Sequence, residues 1–179
     1  MRERSDEALM KAYAGGSMEA FESLYERHRG PLYRYILRQV GDAATANDLY
    51  QGSWEKIIKA RGSYQASAPF RAWMYRIAHN HVMDHFRRQR PQTELRPEHE
   101  ESTGEGPEQA LEREHRETLL KEALAQLSSK QREAVLLKLE GGLDLQSIAD
   151  VLGVSRETAK SRLRYAVARL KEALKERES

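Results

Sequence analysis

The stretch LDLQSIADVLGVSRETAKSRLRYAVARLKEAL, residues 143–174, predicts two helices joined by a tight turn. Asp144 stands where it can cap the first helix, and Gly153 supplies a turn residue for which a positive φ costs little. Ser155 can cap the second helix, because its hydroxyl can accept an amide proton from the first turn. A short helix, a glycine turn and a longer basic helix are typical of a helix-turn-helix.

The second helix of this stretch has two chemically different faces. One face is apolar and predicts a buried stripe at helical spacing, formed by Ala159, Leu163, Val167, Leu170 and Leu174. The other face carries hydrogen-bond donors and one carboxylate, and it consists of Arg156, Glu157, Thr158, Lys160, Ser161 and Arg164. Such a helix fits the major groove of DNA, where Arg and Lys read guanine edges and Glu accepts from cytosine. The alternative is a solvated basic face on an ordinary helical hairpin.

Composition excludes several classes of protein. Cysteine is absent from the 179 residues, which excludes disulfides, thiolate zinc sites and cysteine nucleophiles. No apolar run approaches the roughly 20 residues that a membrane span needs. The amino terminus, MRERSDEALMKAY, lacks the apolar core of a secretion signal. We therefore expect a cytoplasmic protein with no membrane partner.

Four helices are predicted in the amino-terminal half, each bounded by capping or turn residues. The Gly30–Pro31 pair predicts a bend or a fresh start within the second of them. No alternation of period two is long enough to form a strand, so the chain is predicted to be all-α. The four helices are expected at residues 5–14, 18–40, 43–61 and 70–90.

A stretch without periodicity, PQTELRPEHEESTGEGPEQAL, occupies residues 91–111. Its three prolines, two glycines and many glutamates are typical of a flexible acidic linker. The linker would divide the chain into two small helical domains, residues 1–90 and residues 112–179. We expect four helices in the second domain, where Ser128 and Gln131 match a capping box at the start of a helix.

The predicted helix at residues 70–90, FRAWMYRIAHNHVMDHFRRQR, interleaves aromatic residues with arginines. Asn80 and Asp84 lie one turn apart on one face. Aromatic rings and cations suit a single nucleic-acid strand, where stacking is worth roughly 1–3 kcal/mol per base. In the alternative, Trp73, Ile77 and Phe86 belong to the core and the arginines form a solvated face.

Two separate motifs resemble one family. The segment DLYQGSWEKIIKARGSYQASAPFRAWMYRIAHNHVMDHFRRQR is similar to the second conserved region of extracytoplasmic-function (ECF) sigma factors. The segment LSSKQREAVLLKLEGGLDLQSIADVLGVSRETAKSRLRYAVARLKEAL resembles their fourth region. The family consists of bacterial initiation factors that bind core RNA polymerase and direct it to promoter DNA.

The resemblance implies a role for each domain. Residues 1–90 would bind polymerase and recognise and melt the minus-ten element, and residues 112–179 would read the minus-thirty-five element as duplex through the basic face of the helix-turn-helix. The loop at residues 62–69 would form a pocket for a flipped base, whose extrusion costs about a few kcal/mol. The implied minus-ten contacts are Arg71, Trp73, Arg76, Asn80, Asp84, Arg87 and Arg88.

The chain departs from the family in the polymerase-binding helix. The family motif is Asp-Ala-Glu-Asp-Leu-Val-Gln-Glu, whereas residues 45–52 read TANDLYQG, so three of four carboxylates are missing. The implied polymerase contacts are Thr45, Asn47, Asp48, Gln51 and Glu55. One hypothesis is that binding to polymerase is weaker and other contacts suffice. The other is that a Ser/Thr kinase, instead of release from an anti-sigma factor, activates the protein through Ser53 or Thr45, since phosphorylation adds about −1.5 to −2 charges.

Other functional classes are less favoured. His81 and His85 have the spacing of a zinc-protease motif, but Val82 replaces the required Glu, so we expect no metal site. Without a glycine-rich phosphate loop or a nucleophile elbow, neither an enzyme nor a cofactor is expected. The main alternative is a helix-turn-helix regulator whose amino-terminal bundle binds a ligand or partner protein. A membrane-surface role is a third possibility, based on Arg87, Arg88 and Arg90.

Overall fold

The computed structural model describes residues 3–89 and 107–178. Within these ranges the chain forms α-helices and one short 3-10 helix, with no strand, so the all-α prediction is confirmed. No helix in the described ranges is both long and apolar enough to span a bilayer. The helices are α1 (Asp6–Ala14), α2 (Met18–Val40), α3 (Ala43–Lys59), α4 (Phe70–Arg88), α5 (Pro107–Ala125), α6 (Ser129–Leu139), α7 (Leu145–Leu152) and α8 (Arg156–Glu178).

The predicted caps are present in the carboxy-terminal half. Asp144 accepts a hydrogen bond from the amide of Ser147 at 2.8 Å, and this bond is the main reason that the pKa of Asp144 lies below its usual value. Gly153 ends α7 in the left-handed region at φ 67°. Ser128 and Gln131 form the predicted capping box at the start of α6. Local sequence signals therefore define these helix ends correctly.

A fresh helix start at Gly30–Pro31 and the expected start of the first helix in the second domain are both wrong. Helix α2 continues through Pro31 without a break, although proline removes one backbone donor there. Its buried side chains on both sides of the proline, including Leu24, Leu32 and Ile36, pack into one core, and this tertiary packing outweighs the local preference. Helix α5 begins at Pro107, a tolerated first position, and not near residue 112 as expected. The rest of the predicted linker, residues 91–106, lies outside the described residues.

The core of the amino-terminal bundle includes the inner face of α4. Met74, Tyr75, Ala78 and Val82 are each no more than 1% exposed, and they pack against α1, α2 and α3. Burial of a large apolar side chain contributes about 1.5–3 kcal/mol. Since this face of α4 is fixed in the core, the opposite face must point outward.

In the carboxy-terminal domain, α8 packs against α5, α6 and α7. Ala159 and Leu170 are buried as predicted, and Leu163 and Val167 are half-buried. Leu174 is 37% exposed, contrary to the prediction, whereas the alanines Ala166 and Ala173 are buried. Small side chains let helix backbones approach closely. The contact face of α8 therefore includes alanines, which a pattern of large apolar residues does not reveal.

The two domains are in contact. Helix α7 packs on α4, and α6 packs on α2. Arg34 Nε donates to Glu140 Oε2 at 2.9 Å, and Arg38 pairs with both Glu140 and Glu117. The Glu140 side chain is 9% exposed, so these ion pairs lie partly inside the interface.

Candidate nucleic-acid interface

The outward face of α4 carries a polar stripe. Arg76, Asn80 and Arg87 are exposed, and Asp84 is half-buried. A turn of about 100° per residue brings these four side chains to one side of the helix, opposite the buried face. The Arg87 guanidinium donates to Asp84 Oδ1, which orients both groups along the stripe. The structure thus brings four predicted minus-ten residues together, with the exposed Arg88 at the edge.

Arg71 does not belong to this stripe. Arg71 lies two positions before Trp73, which corresponds to a rotation of about 200° around the helix axis. Its side chain therefore emerges on the side of α4 opposite to Trp73. Its Nε is 3.7 Å from Asp6 Oδ2, and its guanidinium lies close to the backbone of Gly142 in the second domain. Arg71 therefore contacts α1 and the loop before α7 instead of extending the row of arginines.

Aromatic rings pack together where the loop at residues 62–69 meets α4. The half-buried Trp73 lies 5.2 Å from Tyr64 and 6.0 Å from Phe70 between ring centroids. The Tyr64 hydroxyl donates to the Ala68 carbonyl at 2.6 Å and closes the loop. Phe86, an expected core residue in the alternative reading, is 42% exposed because it lies near the end of α4. Trp73 is thus partly packed and partly accessible beside the loop.

The acceptor that caps α4 is distant in the sequence and was not predicted. The preceding residue, Pro69, provides no side-chain cap. Instead, Glu7 on α1 accepts a hydrogen bond from the Phe70 amide through Oε1 at 3.1 Å. A helix start preceded by proline rather than Ser, Thr, Asp or Asn is the signal that a distant acceptor was needed.

The neighbouring Asp6 joins α1 to α2 and α4. Its carboxylate lies 3.1 Å from both Arg27 and His28, in addition to Arg71. Burial raises the pKa of Asp6, but hydrogen bonds from His28 and Arg27 and the charges of His28 and Arg71 outweigh this effect and lower the pKa overall. Asp6 and Glu7 therefore fix the amino-terminal end of α4 to α1.

On α8, the predicted recognition face is accessible. Arg156, Glu157, Lys160 and Arg164 are exposed, while Thr158 and Ser161 are half-buried. Ser155 caps the helix by accepting the Thr158 amide at 3.1 Å. An open groove of about 420 Å³ separates this face from the start of α6. The groove lining includes Ser128, Gln131, Glu157, Thr158, Ser161 and Tyr165.

Helix α3 presents a third polar face. Asn47, Asp48, Gln51 and Glu55 are exposed on it, as the resemblance implied. Thr45 is half-buried in the first turn, and its hydroxyl donates to the Asp42 carboxylate. The first turn of α3 contains no acidic residue. The Asp42 carboxylate at the N-cap is therefore the acidic group that meets the helix dipole at this end of α3.

Ser53 does not lie on this face. Its side chain is 0% exposed, and its hydroxyl donates to the Leu49 carbonyl at 2.7 Å. Leu49, Ser53 and Ile57 follow one another at intervals of one helical turn on the buried side of α3. The expectation that Ser53 lies on or beside the polymerase-binding surface is therefore wrong.

Gly52 permits the close approach of α3 to α4. A Cβ at this position would lie 2.4 Å from His81 Nε2. Burial, followed by the charge of Lys56, lowers the pKa of His81. His81 is thus packed against α3 and does not lie on the polar stripe. In the described parts of the chain, no group of three or more His, Cys, Asp or Glu residues could hold a metal ion.

Family models match both halves of the chain. A model described as Sigma-70 region 2 matches residues 24–92, which include most of α2 and all of α3 and α4. A model described as Sigma-70, region 4 matches residues 117–170, which include α6 and α7 and most of α8. The matches thus cover all three polar faces described above.

Relatives align along nearly the whole chain. The ECF RNA polymerase sigma factor SigL from Mycobacterium tuberculosis is 33% identical, with 94% of this chain and 97% of that protein covered. The RNA polymerase sigma factor CarQ from Myxococcus xanthus is 31% identical with the same coverage, 94% and 97%.

Solved structures share the fold. CnrH in complex with the cytosolic domain of CnrY gives a TM-score of 0.72 at 24% identity, with 96% of this chain and 98% of that chain covered. RpoE in complex with the anti-sigma factor NepR from Bartonella quintana gives 0.71 at 24% identity, with 88% and 98% covered. The arrangement of helices therefore extends to proteins of distant sequence.

Proposed function

Since the chain belongs to the ECF sigma factors of the sigma-70 family, which bind core RNA polymerase and promoter DNA and direct transcription initiation, we propose a division of labour among its three polar faces. The outward face of α3 binds polymerase, the stripe on α4 binds the minus-ten element, and the amino-terminal half of α8 reads the minus-thirty-five element. The protein works in the cytoplasm with polymerase. Its role is that of an initiation factor and not of an enzyme.

The observation that carries this proposal is the exposed stripe on α4. Its arginines suit phosphate contacts, and its amide and carboxylate groups suit base edges. Trp73 and Tyr64 lie at the same end as the loop proposed to receive a flipped base, where stacking would offset part of the extrusion energy. A helix that only supported a ligand-binding bundle would not need arginines, base-reading groups and accessible rings on its solvent side. This argues against the alternative of a helix-turn-helix regulator whose amino-terminal bundle binds a ligand or partner protein.

Open-complex formation tests the role of the stripe. We expect Arg87→Ala to reduce promoter melting by holoenzyme about 5- to 30-fold, the equivalent of about 1–2 kcal/mol for a charge-assisted contact. Permanganate reactivity of unpaired thymines measures the open fraction. The matched control is Arg169→Ala, an exposed arginine of α8 outside the proposed faces. Equal melting by both variants would remove α4 from the proposed interface.

For α8, binding to duplex DNA distinguishes base reading from simple charge attraction. We expect Arg164→Ala or Lys160→Ala to cost about 1–3 kcal/mol and to relax preference at one base pair if the side chain reads a base edge. A side chain that contacts only phosphate would weaken binding to all sequences equally. The measurement is holoenzyme affinity for a set of promoters with single substitutions in the minus-thirty-five element.

We further propose that phosphorylation of Thr45 regulates polymerase binding. Thr45 is half-buried in the first turn of α3, and its hydroxyl donates to the Asp42 carboxylate that caps this helix. A phosphate on Thr45 would have to displace that carboxylate and would then be stabilised by the helix dipole in its place. Burial of the Ser53 hydroxyl argues against the second candidate, because a kinase would have to unfold this part of α3 to reach it. A phosphate on Thr45 would restore part of the charge that the family motif carries.

The test compares Thr45→Glu with the matched, uncharged Thr45→Gln. We expect unmodified protein to bind core polymerase poorly and Thr45→Glu to bind at least about tenfold more tightly, because long-range charge complementarity accelerates association. Tight binding by unmodified protein, unchanged by Thr45→Glu, would contradict the phosphorylation switch. Such a result would favour control by an anti-sigma factor, the kind of partner that RpoE from Bartonella quintana binds.

A further inference from the structure

A cluster of aromatic side chains, which we call the tyrosine cluster, borders the polar face of α3. Tyr50 lies 5.5 Å from Tyr33 and 6.4 Å from Trp54 between ring centroids. Tyr25 on α2 lies 5.1 Å from Trp54. The indole is 6% exposed and forms the floor, while the three tyrosines are half-buried. The cluster therefore presents ring surface to solvent along the α2–α3 edge.

The tyrosine cluster is continuous with the proposed polymerase-binding residues. On α3, Tyr50 stands three positions after Asn47, a spacing at which side chains are neighbours on the helix surface. Asp48 and Glu55 supply the exposed carboxylates of the same helix. Phenol rings thus flank the part of the surface where the family motif has carboxylates that this chain lacks.

The tyrosine cluster already binds one cation within the molecule. The Arg29 guanidinium carbon lies 5.7 Å from the centroid of the Tyr25 ring. Burial raises the pKa of Tyr50 to about 12, and a hydrogen bond with Tyr25 acts in the same direction, so its hydroxyl is uncharged at neutral pH. Any attraction for cations therefore comes from the ring faces, whose quadrupole favours guanidinium and ammonium groups.

We propose that Tyr25, Tyr33 and Tyr50 form the second half of the polymerase-docking surface, where they receive arginine or lysine side chains of a basic helix of core polymerase. The partner is identified by charge complementarity to Asp48 and Glu55 and by the guanidinium that the rings already hold. The inference rests on the proposed function of α3. It identifies the contacts that remain when the acidic motif is depleted, and phosphorylation at Thr45 would add to them.

Replacement of Tyr50 by the valine of the family motif tests the energetic contribution. We expect Tyr50→Val to weaken binding of the full-length protein to core polymerase about tenfold, mainly through faster dissociation, as for an aromatic hot spot. Tyr50→Phe retains the ring and is expected to bind within about twofold of the parent. Surface plasmon resonance measures both, in the unmodified and the Thr45→Glu protein. The control, Tyr165→Val, removes an exposed tyrosine of α8 that also lies under a guanidinium.

A cross-linking experiment separates this inference from the docking role of α3 itself and does not depend on the stability of Tyr50→Val. The photoreactive residue p-benzoylphenylalanine is introduced in place of Tyr33 or, separately, of Asn47. We expect both positions to cross-link to core polymerase. Cross-linking from position 47 alone, or an affinity unchanged by Tyr50→Val, would overturn the role of the tyrosine cluster. Failure at both positions would overturn the docking role of α3 as well.

Discussion

Helices α8 and α4, which we propose to bind duplex and single-stranded promoter DNA, obtain their positions in different ways. Ser155, next to α8 in the sequence, caps it, and the Asp144 cap and Gly153 turn hold the preceding helix. Helix α4 follows Pro69, which cannot cap it, and takes its acceptor from Glu7, 63 positions away. Local signals place one nucleic-acid surface, and long-range contacts place the other. Helix α4 is therefore the more sensitive of the two to changes elsewhere.

The strongest test of this comparison removes a core contact of α1. Met10 is 0% exposed, and we expect Met10→Ala to cost about 2–5 kcal/mol by creating a cavity in the core of the amino-terminal bundle. Native-state hydrogen exchange of individual helices measures the effect. Protection should fall in α1 and in the first turns of α4 and persist in α8. A uniform loss of protection in both domains would contradict the separate dependence of α4 on α1.

The two kinds of cap can be compared directly. We expect Glu7→Ala to cost about 1–3 kcal/mol, because it leaves a partly buried amide without its charged acceptor. Ser155→Ala should cost about 0.5–2 kcal/mol, the usual value for a lost N-cap. Chemical denaturation measures both losses. In addition, Glu7→Ala should impair promoter melting and leave minus-thirty-five binding intact, and equal effects on both activities would refute the comparison.

The contact between Gly52 and His81 offers a smaller test, made by a double-mutant cycle. Gly52→Ala improves helix propensity by about 1 kcal/mol but places a Cβ against the imidazole. We therefore expect Gly52→Ala to be destabilising in the parent and stabilising in a His81→Ala background. The resulting coupling energy should be about 0.5–3 kcal/mol. Additive effects would mean that the helices can move apart without loss.

We expect acid to weaken the attachment of α1 through Asp6, and only at a pH well below neutral. The pKa of Asp6 is lowered in the folded protein, so its stabilising contribution is complete above about pH 5 and disappears as the pH falls through the lowered pKa. We expect Asp6→Asn to flatten this acid-induced decline in unfolding free energy. Parallel pH curves for the parent and the variant would show that Asp6 contributes little.

The same difference between local and long-range contacts explains which features could be predicted from the sequence. The hairpin of α7 and α8, with its caps and exposed basic face, could be predicted because every signal lies within a few residues. Burial of Ser53 could have been inferred from its spacing to Leu49 and Ile57 on one side of α3. The acceptor supplied by Glu7, the diversion of Arg71 to Asp6 and the fit of Gly52 to His81 depend on helices distant in sequence. No local pattern encodes such pairs.

The ion pairs that Arg34 and Arg38 make with Glu140 and Glu117 affect how far apart the two DNA-binding domains are held. A promoter sets a fixed spacer between its two elements, and the factor meets that spacer either with these pairs intact or after breaking them. The Arg38 and Glu140 side chains are only 16% and 9% exposed, so salt screens their pair less than it screens the pairs that involve the more exposed Arg34 and Glu117. Added salt therefore weakens the more exposed interdomain pairs first. The promoter spacer length that the factor prefers then reports how far apart the two domains are held.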